Sequence, residues 1–135
     1  MDRPEVSVVL CDYAEEVQGK LYILGGGWSL LRGQGPADMA LAVKLGLPWK
    51  DADRPVPLQA SLLTEDGHHV EMADQPVGFG AEVRASRAPD LPPGTLLDVA
   101  LAIRFHGLVL APGGYRFELE VDGELSATVP FRVVG

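Results

Sequence analysis

Apolar and polar residues alternate with period two in one segment after another of this chain, the signature of strands that each bury a single face. Val6, Val8 and Leu10 alternate with Ser7 and Val9, and Leu21 and Ile23 with Lys20, Tyr22 and Leu24. The second run can resume as residues 28–32 after Gly25, Gly26 and Gly27. Residues 39–45 and 56–62 continue the pattern, followed by short runs at 68–72 and 77–83, a long run at 97–105, and two closing runs at 115–119 and 125–133. The pattern predicts an all-β fold, a two-layer antiparallel β-sandwich of eight or nine strands, immunoglobulin-like or jelly-roll-like. Only residues 13–18 offer room for a helical turn.

Two turns can be placed from the same alternation. In Glu65-Asp66-Gly67 a three-residue loop pairs Thr64 with His68 and Leu62 with Val70, leaving Gly67 to take the left-handed conformation. Applied to Val121-Asp122-Gly123, the rule pairs Glu120 with Glu124 and Leu119 with Leu125. Pro57 and Pro130 lack an amide donor inside candidate strands and predict edge positions.

Composition narrows the field. A chain of 135 residues and 14.4 kDa supports one core, so residues 1–135 are expected to form a single β-sandwich domain. Sixteen glycines and eleven prolines agree with many turns and few helices. Nineteen acidic against eleven basic residues give a net charge of −8, and the basic residues are scattered rather than striped, which argues against a nucleic-acid partner. No apolar run approaches the length of a membrane span. The single Cys11 rules out an internal disulfide, and its apolar surroundings predict a buried free thiol. With no secretory pattern at the start of the chain, a cytoplasmic setting is expected.

Candidate chemistry is sparse. Strand geometry points His68 and His69 to opposite faces, so only His69 and Glu71 share one, which is fewer protein ligands than zinc takes. A small hydrolase or metal-dependent enzyme would have to assemble Asp12, His69, Glu71 and His106 within hydrogen-bond reach. Asp51 and Asp53 are spaced like part of a calcium loop, without the glycine and bidentate glutamate that complete one. The three glycines lead into Trp28-Ser29-Leu30-Leu31 rather than into a phosphate-binding helix, and predict a kink between two half-strands. No serine lies in a nucleophile elbow, and no cofactor is expected. Asp12, Tyr13, Trp28 and Trp49 stand outside clean inward positions and are the candidate binding residues.

The segments Leu10-Cys11-Asp12-Tyr13-Ala14 and Gly19-Lys20-Leu21-Tyr22-Ile23-Leu24-Gly25 resemble the opening of an uncharacterised bacterial family of small domain-of-unknown-function proteins. The resemblance covers about the first 25 residues, extends in general form to Gly114-Tyr115-Arg116-Phe117, and departs at the three glycines before Trp28. It implies a cytoplasmic β-sandwich and carries no activity. Together these features predict a non-enzymatic module that binds a protein partner, or itself, through a sheet edge or a loop end.

Overall fold

A computed structural model describes residues 3–33 and 35–135. Its strands are β1 (Glu5–Val17), β2 (Lys20–Gly26), β3 (Leu30–Arg32), β4 (Ala37–Leu47), β5 (Val56–Thr64), β6 (Glu71–Met72), β7 (Gln75–Pro76), β8 (Gly78–Val83), β9 (Leu97–Leu108), β10 (Gly113–Val121) and β11 (Glu124–Val134). A 3-10 turn at Trp49–Asp51 lies between β4 and β5. One sheet has the order β2-β1-β4-β9, the other β3-β11-β10-β5-β8, and β6 with β7 forms a small separate ribbon.

The order β1-β4-β9 facing β11-β10-β5-β8 is that of immunoglobulin strands A-B-E facing G-F-C-C′. A second mark of that architecture sits at the start of β10, where the Tyr115 hydroxyl donates to the carbonyl of Ala111, four residues upstream, at 2.7 Å. The immunoglobulin-like alternative is therefore the one this chain adopts. Among the described residues, no strand takes the position beside β9 that strand D takes in constant-type domains; residues 84–96 pass from β8 to β9 as a loop.

Inward-facing residues of both sheets form the main core. Leu41, Val43 and Leu45 of β4 meet Leu58, Ala60 and Leu62 of β5 and Phe117, Leu119 and Val121 of β10, all at 2% exposure or less. Phe117 stacks on Phe131 at 5.7 Å and packs at a tilt against Phe105 at 5.1 Å between ring centres, so a chain of aromatic rings joins the two layers. Burying each such side chain stabilises the fold by about 1.5–3 kcal/mol.

Several local expectations are corrected. Residues 13–17 extend β1 instead of forming a helical turn, and Gln18 and Gly19, both at positive φ, close a two-residue turn into β2. Gly25, Gly26 and Gly27 do not divide two halves of one strand; β2 and β3 belong to different sheets. The turn at 65–67 has the expected pairing, with the Thr64 amide bonded to the His68 carbonyl and the Val70 amide to that of Leu62. The turn after β10 does not. Asp122 (φ 56°) and Gly123 (φ 81°) form a two-residue loop, so Val121 faces Glu124 and Glu120 faces Leu125. A bulge then restores the alternation, setting Leu119 opposite Ala127. The extra residue absorbs the one-position slip that the alternation alone forbids. Among the described residues, the outer side of β11 at Pro130 has no strand partner, because β3 pairs with Arg132–Val134. Pro57 instead stands near the start of β5, an interior strand, and its carbonyl accepts from Asp122 beyond the end of β10, so its missing donor costs no ladder bond.

Candidate binding surface

β1 pairs with β4 only as far as Cys11↔Ala40, while its ladder with β2 continues to Val17↔Lys20. Beyond Cys11 the two-stranded ribbon is released from its sheet and bends over the outer face of β4 and β9. The sequence permits this because that face is built from small residues. Cys11, Ala14, Ala40 and Ala42 form a second buried cluster at 0–2% exposure, with Leu21 and Ala102 packed against it. Over residues 39–43 β4 is therefore buried on both faces, large residues inward and alanines outward, against the expectation that each strand buries one face.

Arg104 on β9 fastens the ribbon. Its Nη1 donates to the Tyr13 hydroxyl at 2.9 Å and approaches the Ala14 carbonyl at 3.5 Å, and its guanidinium lies 5.3 Å from the Tyr13 ring centre. The Cys11 thiol donates to the Ala40 carbonyl at 3.4 Å. Burial, reinforced by the neighbouring Asp12 carboxylate, pushes this thiol above the ordinary cysteine range, so it is a packed group and a poor nucleophile. Gly25 (φ 60°) passes beneath the Asp12 side chain, where a Cβ would collide with the carboxylate.

The other face of the ribbon is uncovered apart from the Arg104 contact at Tyr13. The pairs Tyr13↔Leu24, Glu15↔Tyr22 and Val17↔Lys20 set Tyr13, Val17, Tyr22 and Leu24 on one side, together with the charged Glu15 and Lys20. Their exposures are 40%, 42%, 55% and 67%, and Val9 and Ile23 add a partly exposed rim. Among the described residues, the outer edge of β2 pairs with no strand. An apolar strip beside an unpaired edge is what soluble proteins usually avoid.

The other candidate residues lie elsewhere. Trp28 is half-buried, edge-on to Phe131 at 5.9 Å, with its indole N–H buried and meeting no acceptor among the described residues. Trp49 lies at the opposite end of the sandwich beneath the Arg87 guanidinium, 4.5 Å from the ring centre, and its carbonyl accepts from Arg87 at 2.7 Å. Of the four candidate binding residues, only Asp12 and Tyr13 belong to the ribbon. Asp51 accepts from Arg54 at 3.2 Å and Asp53 from the Ser86 hydroxyl at 2.7 Å, so both carboxylates brace the β4–β5 loop. His69 and Glu71 follow the turn after β5, His106 stands 3.9 Å from Asp38 near the end of β9, and Asp12 is on β1. Among the described residues no three His, Cys, Asp or Glu side chains are grouped to hold a metal ion. Alternation read for one face missed Val17, Tyr22 and Leu24. The available signal was Leu21-Tyr22-Ile23-Leu24, four apolar residues in a row, which makes both faces of a strand apolar.

Fold and surface together define an immunoglobulin-type β-sandwich carrying a curled amino-terminal ribbon. The model of a family of unknown function, DUF6941, matches residues 6–134, and the chain belongs to that family. No curated protein matches the sequence. The fold is similar to part of the Pseudomonas fluorescens alkylpurine DNA glycosylase AlkC, solved bound to DNA containing an abasic site analog, with a TM-score of 0.55 and 9% identity. That match covers 98% of this chain and 30% of the glycosylase. An immunoglobulin-like protein from Pseudomonas aeruginosa matches with a TM-score of 0.42 and 14% identity, over 98% of this chain and 92% of its own. Among the described residues no helix is long and apolar enough to cross a membrane.

Proposed function

We propose that this chain is a non-enzymatic module that binds a protein partner through the β1–β2 ribbon. The observation that carries the proposal is the strip Tyr13, Val17, Tyr22 and Leu24, left uncovered on a ribbon whose opposite face is tightly packed. A rigid apolar strip presents aromatic and aliphatic anchors at little entropic cost, and the free edge of β2 offers backbone donors and acceptors to an added strand. The free, buried thiol of Cys11 suits a reducing cytoplasm. A net charge of −8 with scattered basic residues disfavours a nucleic-acid partner such as the DNA in the glycosylase complex. Nothing in the arrangement favours the hydrolytic or metal-dependent role considered for Asp12, His69, Glu71 and His106, or the calcium role considered for Asp51 and Asp53.

The test is quantitative co-purification from the protein's own cells, comparing the native chain with a Tyr22→Ser, Leu24→Ser variant. The expected result is a stoichiometric partner that is lost from the variant while its melting temperature holds. An unchanged set of bound proteins would overturn the proposal.

A further inference from the structure

The opposite edge of the same sheet carries a different and independent message. β9 spans Leu97–Leu108, and its only strand neighbour among the described residues is β4. Backbone hydrogen bonds outside the strand ladders involve none of its described residues. The immunoglobulin position that would cover it is the one this chain leaves to a loop. Inward-facing residues along this side are only partly covered: Val99 and Leu101 on β9, and Phe79, Ala81 and Val83 on β8. Their ladder partners Leu45 and Val43 on β4 are fully buried. Leu97, Ile103 and Phe105 of β9 are buried, and residues 72–78 lie beside Arg104–Leu108, so the sandwich is open along its β8–β9 side only around Val99 and Leu101.

We propose that a second copy of this chain closes that side by antiparallel pairing of β9 with β9 across a two-fold axis. Outward-pointing N–H and C=O groups occur on alternate residues of an edge strand, so a two-fold pairing must join residues of the same parity. Centred on Leu101, the pairing sets Asp98 opposite Arg104 of the second copy, twice by symmetry. It also sets Ala100 opposite Ala102, Val99 opposite Ile103 and Leu97 opposite Phe105. Charge meets opposite charge, small meets small and apolar meets apolar along nine residues. Moving the centre to Ala100 or Ala102 leaves Arg104 opposite Leu96 or Ala100, so only the Leu101 register pairs both charges. Asp98 is available for the contact, with 71% of its side chain exposed and a single long ion pair to Lys44 at 3.5 Å.

One feature opposes the association. Glu15 and Glu16 of the ribbon line the outer face beside Leu101, Ala102 and Arg104, so the acids of both copies approach the axis. Their repulsion makes the dimer weaker, and Glu15→Gln with Glu16→Gln tightens it.

Sedimentation velocity over a wide concentration range tests the inference. The native chain is expected to show a concentration-dependent dimer. Asp98→Arg, which leaves the ribbon's Arg104 contacts intact, weakens it by about tenfold or more by placing like charges opposite each other. The charge-swapped Asp98→Arg, Arg104→Asp variant recovers it. A chain monomeric at every concentration, a dimer that Asp98→Arg leaves unchanged, or no recovery in a swapped variant with native melting temperature would each overturn the inference. The Tyr22→Ser, Leu24→Ser variant keeps this dimer, so loss of the ribbon's partner and loss of β9 pairing are read separately.

Discussion

Both faces of β4 are buried over residues 39–43, and they are built from opposite materials. Its inner face packs Leu41, Val43 and Leu45 against a second sheet, where long side chains span the gap between layers. Its outer face packs Ala40 and Ala42 against a ribbon that comes close because its contacts there, Cys11 and Ala14, are small, with Leu21 packed against them. Large residues hold two sheets apart at a fixed spacing, whereas small ones let a strand pair lie directly on a sheet. The inner face makes the domain stable. The outer face decides where the ribbon lies, and thus whether Tyr13, Tyr22 and Leu24 form one surface.

This contrast can be broken from either side. Phe117→Ala removes the ring that links Phe105 and Phe131 and is expected to cost about 3–5 kcal/mol, measured by denaturant unfolding. A loss below about 1 kcal/mol would show that the aromatic chain does not join the layers as described. On the other face, Ala42→Leu forces extra volume beneath the ribbon and is expected to cost about 1–3 kcal/mol. Its distinguishing effect is local: hydrogen exchange rises in residues 13–24 while the β10 amides stay protected. Uniform deprotection would mean that the two faces are one cooperative unit.

The smallest effect is electrostatic. The hydrogen bond from Arg54, at 2.8 Å, lowers the Asp122 carboxyl below its ordinary value of 3.8, with Coulomb attraction to Arg54 and Lys50 adding to it and slight burial opposing. A carboxyl depressed by folding contributes stability above its unfolded value, and the contribution is lost as pH falls through the folded one. Asp122→Asn, which still tolerates the left-handed turn, should therefore lower the melting temperature slightly at pH 7 and not at all near pH 2. An equal difference at both ends of the range would assign the role of Asp122 to the turn and not to the ion pair.

Period-two alternation was enough to place most strands and the β5 hairpin, because a strand with one face in a core has to repeat every second residue. It failed at the turn after β10, where the bulge beside Leu119 restores a register that a two-residue loop had shifted. It failed again at residues 13–17, whose apolar positions serve a ribbon rather than the sandwich. Of the candidate binding residues, Asp12 and Tyr13 fell on the exposed ribbon, while Trp28 and Trp49 went to packing at opposite ends. A tryptophan's bulk looks the same in a sequence whether it caps a core or meets a partner.

By itself the sequence determined an all-β domain, a buried solitary thiol and the lack of a dense basic stripe, since alternation, cysteine count and charge are properties of the chain before it folds. Which strands adjoin, that β4 is covered twice, and which edges are left bare were decided only in the tertiary structure. Those depend on contacts between residues far apart in the chain, such as Arg104 with Tyr13. The alternating pattern of β9 specifies that it has an inner and an outer face; that its outer edge adjoins no strand among the described residues is a property of the tertiary structure.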